Sequence, residues 1–356
     1  MSRAVWTRTF RFAACVLVVA CAAGSGRAQS AFEKSADAFI APYARDGRFS
    51  GAVLVSRDGD TRFERAYGLA DRAWDLPNTL DTRFEIGSLT KAFTGMAIAQ
   101  LAAAGKLGLE DPVGKYYPRA PETWKAITIH RLLTHTSGIA GNDVKDYSKG
   151  ITVPYRLDEL IETFRDRPLS FEPGSGWQYT NTEYVLLAYV IEKVSGESYA
   201  GYLSRHIFDP LNMQDTGLAP TNAVVRHQAE GYTPENGALR RRDYFDRSLE
   251  TGAGGLHSTL ADLSKWDQAL YTERLLPKAY LERVFSGNNK GKYGYGWFVK
   301  NDAGGRRIYH GGSEPGYSAF HLRRPERHLL VIVLSNIDEA PVRDIAEGLE
   351  KLATGG

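Results

Sequence analysis

The chain has 356 residues, of which 43% are hydrophobic and 24% charged, with nineteen Tyr and fifteen Phe. That composition excludes a disordered or low-complexity protein and supplies enough bulk for one large domain or two lobes around a cleft. Forty-four basic side chains against 42 acidic ones, a net of +2, are too nearly balanced to argue for nucleic acid or an anionic membrane surface.

Residues 1–28 read as an export signal. Arg3, Arg8 and Arg11 precede an apolar run from Phe12 to Ala23, and Gly24, Ser25, Gly26, Arg27 and Ala28 follow. Gly26 and Ala28 stand where a signal peptidase needs small residues, so cleavage is expected before Gln29, giving an exported protein, periplasmic or secreted. The run is too short to span a bilayer comfortably, and it is block-apolar where a mitochondrial transit peptide would be amphipathic. Val18-Val19-Ala20-Cys21 also resembles the bacterial lipobox, under which Cys21 would carry a lipid anchor; both processing routes stay open. Cleavage removes four Arg and no acids, so the expected mature chain has 40 basic and 42 acidic side chains, a net of −2. Both cysteines, Cys15 and Cys21, fall in the leader, which leaves no disulfide or thiol chemistry. The eight His show no metal-binding spacing, so neither metal nor cofactor is expected. His130 and His135, five apart, are read as structural. After the leader no second apolar span is present.

Ala31 to Tyr43 is expected to be a helix. A hairpin follows: Ser50 to Ser56 is apolar and β-branched, Asp58-Gly59 supplies the turn, and Thr61 to Tyr67 returns. Leu89, Phe93, Met96, Ala97 and Leu101 recur at helical spacing, with Gly105 as the stop. Tyr184, Leu187, Ala188 and Ile191 form a second helical stripe that ends near Gly196. Thr259 and Asp262 open a third helix, through Leu270, with a variant of the capping box. Tyr295–Lys300, Arg307–His310, Tyr317–Arg323 and His328–Leu334 read as strands, and Val342–Leu352 as a last helix. Strands at both ends with helices between them predict an α+β fold. An antiparallel sheet built from both termini (about 29–87 and 290–356) would carry an inserted, mostly helical lobe (about 88–289), all within one catalytic domain, 29–356. A cleft between them would hold the site.

Three segments carry chemistry. Ser88-Leu89-Thr90-Lys91 places a hydroxyl and an amine three apart on one helical face. At a helix start the backbone N–H of Ser88 is unpaired and the dipole favours a developing oxyanion. A lysine shielded from water can be neutral and accept the serine proton. Tyr179-Thr180-Asn181 follows Pro173-Gly174-Ser175-Gly176 in a polar loop. Tyr179 serves as a base if a cation such as Lys91 lowers its pKa, and Asn181 can hold both the lysine and a substrate carbonyl. His310-Gly311-Gly312 ends a strand, where glycines admit a substrate backbone and the N–H of Ser313 can supply a second oxyanion donor. Each segment alone has a plainer explanation: a helix cap with a solvated lysine, an N-capping Asn beside a packed tyrosine, a Gly-rich turn.

Together, S-x-x-K, Y-x-N and an H-G-G triplet on a strand resemble the plan of serine β-lactamases and penicillin-binding proteins. The branch is that of class C β-lactamases, DD-peptidases and the esterases built on the same fold. His130-Arg131-Leu132-Leu133-Thr134-His135-Thr136-Ser137-Gly138-Ile139, Glu172-Pro173-Gly174 and Ala253-Gly254-Gly255-Leu256 extend the resemblance over roughly residues 35 to 335. It implies a serine hydrolase acting through an acyl-enzyme on a small ester, peptide or β-lactam. Ser88 would attack, Lys91 with Tyr179 would move the proton, and the same pair would activate water. His310 would shape the electrostatics on the leaving-group side, with no separate glutamate base. Gly311 departs from the plan, since carboxylate-recognising members often carry Thr there, and His310 replaces Lys. Both changes disfavour a β-lactam and favour esters or modified peptides, unless Arg323 or Arg324 compensates. No G-x-S-x-G elbow exists at Ser137, Ser175 or Ser313, which argues against an α/β-hydrolase. The alternatives on the same fold are a non-catalytic penicillin- or cell-wall-binding protein and an acyltransferase.

Overall fold

A computed structural model describes residues 30–142, 149–218, 220 and 222–355; the leader, with Cys15 and Cys21, lies outside the described residues. Helix α1 (Ala31–Arg45) opens on Ser30, whose hydroxyl accepts the Glu33 N–H while Glu33 accepts the Ser30 N–H, a complete capping box. Strands β1 (Gly51–Arg57) and β2 (Asp60–Tyr67) form the expected hairpin. Asp58 and Gly59 both have positive φ (55° and 84°), as a tight two-residue hairpin turn demands.

Four C-terminal strands complete the sheet: β3 (Phe298–Asp302), β4 (Gly305–Glu314), β5 (Tyr317–Arg324) and β6 (Leu329–Ser335). The order is β2-β1-β6-β5-β4-β3, antiparallel throughout, with Gly51 opposite Ser335 and Arg57 opposite Leu329 where the two ends of the chain pair. The central strands are buried on both faces, which explains their nearly unbroken apolar sequences. Ala52, Leu54, Leu330, Ile332 and Leu334 point toward the helical lobe. Val53, Val55, Leu329, Val331 and Val333 point toward α1 and the last helix, α5 (Val342–Thr354). The fold is α+β, as expected: an antiparallel sheet flanked by helices, with an inserted helical lobe.

In the lobe, α2 (Thr90–Ala103), α3 (Thr182–Ser195) and α4 (Leu260–Ala269) match the three apolar stripes. Shorter helical segments and two-stranded pairings, Phe84–Glu85 with His257–Ser258 and Tyr232–Glu235 with Ala238–Arg241, add to them. Two strands differ from expectation: β4 runs through the His310-Gly311-Gly312 triplet to Glu314 instead of ending at His310, and β3 begins at Phe298 rather than Tyr295. Gly296 has φ +83° and packs against the Lys91 and Ala92 backbone, so the chain bends toward α2 before it can join the sheet.

Candidate active site

Ser88 sits in a single 3₁₀ turn, Gly87–Leu89, that feeds into α2. Strand β4 lies against that turn. Its pairing with β3 ends at Tyr309, so the outer edge from His310 to Glu314 is free of a neighbouring strand. Two glycines permit the approach: Gly87 has φ +49° and a Cβ there would come 2.7 Å from the Ser313 backbone nitrogen. A Cβ on Gly312 would fall on the Ile86 carbonyl. The Ser313 N–H is thereby brought beside the start of the Ser88 turn.

Lys91 is fully buried on the first turn of α2. Its Nζ lies 2.9 Å from Ser88 Oγ and 2.8 Å from both Asn181 Oδ1 and the Ala253 carbonyl. Asn181 precedes α3 but makes no capping bond with its side chain; its amide is turned to the lysine. Burial pushes the Lys91 ammonium down to about 7, against the opposing pull of Glu250, Glu314 and Glu183. The ring of Tyr179 lies 4.8 Å from Lys91 Nζ. Burial raises the Tyr179 phenol above its ordinary range, and a hydrogen bond with Ser88 only partly opposes this. The expectation that Lys91 would lower the tyrosine is therefore reversed: the lysine is the depressed group and Tyr179 keeps its proton.

His310 is buried and neutral, pushed down to about 3 chiefly by loss of solvent and further by Lys91. Its Nδ1 lies 2.6 Å from the Gly311 carbonyl, an acceptor only, so Nδ1 carries the hydrogen and Nε2 accepts from the Tyr293 hydroxyl at 2.8 Å. It brings no positive charge to the cleft. Nor do the two arginines: Arg323 is buried against Asp267 at 2.9 Å, and Arg324 pairs with Asp302 and Glu350. Gly311 has ordinary room, since a Cβ there would meet the Phe320 ring at 3.5 Å.

Three carboxyl groups near Lys91 were not singled out from sequence. Glu183, buried, binds His135 Nδ1, Ser137 Oγ and Thr180 Oγ1, and the His135 ring lies 4.6 Å from that of Tyr179. Loss of solvent raises Glu183 well above the usual carboxyl range and, with the charge of Lys91, holds His135 well below its own. Glu314 and Glu250 converge over Gly254, where a side chain would collide with both. Burial, reinforced by Glu250, raises Glu314 well above its usual range. His130 bonds the Tyr295 hydroxyl at 2.9 Å, away from Ser88.

A serine beside a buried lysine, in a cleft between an antiparallel sheet and an inserted helical lobe, is the arrangement of the penicillin-recognising serine hydrolases. The chain belongs to the β-lactamase family, whose pattern matches residues 36–354. A penicillin-binding protein of Bacillus subtilis is 35% identical over 320 residues, 82% of this chain and 69% of its own. The crystal structure of a penicillin-binding protein from Bacillus halodurans superimposes with a TM-score of 0.79 at 28% identity, covering 88% of this chain and 99% of that one. A D-stereospecific amidohydrolase from a Streptomyces species gives 0.78 at 25% identity, covering 91% and 99%. The protein is thus a serine hydrolase that works through an acyl-enzyme on ester, amide or peptide substrates. No helix among the described residues is long and apolar enough to cross a membrane.

Proposed function

We propose that Ser88 is the nucleophile, Lys91 the base and Tyr179 the proton donor of a hydrolase for esters or amides. The observation that carries the reading is the buried Lys91 Nζ, 2.9 Å from Ser88 Oγ. A neutral amine has two N–H bonds and one lone pair. Asn181 Oδ1 and the Ala253 carbonyl take the two N–H bonds, which leaves the lone pair for the Ser88 hydroxyl. Lys91 accepts the serine proton as Oγ attacks the acyl carbonyl, and the backbone N–H groups of Ser88 and Ser313 hold the oxyanion. The leaving group departs with the Tyr179 proton, which the Lys91 ammonium replaces. Water, deprotonated by the same pair, then releases the acyl group.

The same reading takes residues 1–28 as an export signal and 29–356 as one catalytic domain working outside the cytoplasm. The mass of the mature N-terminus, from membrane and soluble fractions, decides between cleavage before Gln29 and a lipid on Cys21. The kinship with penicillin-binding proteins makes a penicillin the first probe. Intact-mass spectra over time should show an adduct on wild type, or hydrolysed penicillin, and neither with Ser88→Ala. Penicillin left intact by wild type removes β-lactam chemistry. If short-chain esters are then cleaved equally by wild type and Ser88→Ala, the assignment of Ser88 is wrong.

A further inference from the structure

We propose that the cleft beside Ser88 is a leaving-group subsite for a flat, uncharged aromatic group, and that it selects against a free carboxylate. The inference rests on the reading of Ser88 and Tyr179 given above and extends it to the substrate. The cleft is an open groove of about 490 Å³ that runs from Ser88 and Tyr179 along β4 to the start of α5. Tyr179, the proposed proton donor to the leaving group, lines it, whereas Asn181 and Ala253 do not. This places the cleft on the side from which the leaving group departs.

Its wall is a run of four nearly parallel rings. Tyr179 and Phe298 are 6.5 Å apart at 16°, Phe298 and Tyr309 5.5 Å at 17°, and Tyr309 and Phe320 5.8 Å at 20°. Gly311 lies beside the last ring and leaves open the volume that a side chain would fill. An aromatic group in that space meets π-faces and ring edges, the geometry aromatic pairs prefer. A carboxylate in the same place exchanges its water for a largely apolar wall, with Ser313 and Ser318 as its neutral polar neighbours. It meets no hydroxyl at 311 and a neutral imidazole at 310, with both imidazole nitrogens engaged. Arg343 also lines the cleft, its guanidinium 5.9 Å from the centroid of the Tyr309 ring, but its Nε is 2.9 Å from Glu347 and Glu339 lines the same rim.

The test compares acetate esters of phenol and of 4-carboxyphenol, which share an acyl group and so share deacylation. The carboxyl substituent makes the second ester slightly more reactive in solution, a bias against the proposal. The concentration of active protein is set by an organophosphate label on Ser88. The expected kcat/KM is roughly tenfold or more higher for the phenyl ester, the size expected from stranding a charge in an apolar site. The ratio should collapse in Gly311→Thr, which fills the space and supplies a hydroxyl. A ratio near one or inverted in wild type overturns the subsite. Undiminished hydrolysis of the phenyl ester by Ser88→Ala overturns instead the nucleophile on which the proposal stands.

Discussion

At the scale of single residues, the site turns on one amine that titrates near neutral pH. Lys91 sits at about 7 because burial outweighs the pull of Glu250, Glu314 and Glu183. Only the free base can take the Ser88 proton, so kcat/KM should rise with pH through that value. Glu250 is first among the charges that favour the ammonium, and removing it lowers the lysine further. Glu250→Gln should therefore move the acidic limb of the kcat/KM profile down by roughly half a pH unit to one. An unmoved limb, or one displaced upward, would show that Lys91 is not the group titrating. The spacing of Ser88 and Lys91 was legible because both lie within one helical turn. Glu250 and Glu314 were not, because their meeting over Gly254 depends on how the lobe closes on the sheet, and no local pattern encodes that.

At the scale of elements, the three glycines at the junction of β4 with the Ser88 turn have different tasks despite their similar appearance. Gly312 and Gly87 let backbone meet backbone, while Gly311 faces space beside Phe320. Gly312→Ala should push β4 off the turn, displace the Ser313 N–H and lower kcat by about 10²–10³, as loss of one oxyanion donor does. Gly311→Ala should leave Ser88 labelling by an organophosphate within a few-fold of wild type. Equal losses at both positions would contradict this division. The triplet itself was visible in the sequence, as were all four C-terminal strands. The division of labour within the triplet was hidden, because it depends on which face of β4 meets Ile86. The neutrality of His310 was likewise hidden, since its partner Tyr293 lies outside the motif. The start of β3 was misplaced for a related reason: Tyr295 and Trp297 have strand-like character, but Gly296 is needed against α2.

At the scale of the whole molecule, the lobe is bound to the sheet across its full width. The chain leaves the sheet from β2 at one edge and returns into β3 at the other. The strands between them present alternate side chains to two cores, one under the lobe and one under α1 and α5. Neither core can melt without exposing a face of the shared sheet, so unfolding should be one cooperative transition. Leu349, buried on α5, tests this from the side away from Ser88. Leu349→Ala should cost about 2–5 kcal/mol and lower Tm by about 4–10 °C. Far-UV circular dichroism reports on the sheet as well as the helices, while tryptophan fluorescence reports mainly on the core under the lobe, where Trp124, Trp266 and Trp297 are buried and Trp177 packs. The two should keep a common midpoint in wild type and variant, and turnover per labelled Ser88 should be unchanged below the transition. A fluorescence midpoint that stays at the wild-type temperature while the dichroism midpoint falls would mean that the lobe folds by itself. The chain would then hold two domains rather than one, and the cleft with Ser88 would lie between bodies free to move apart.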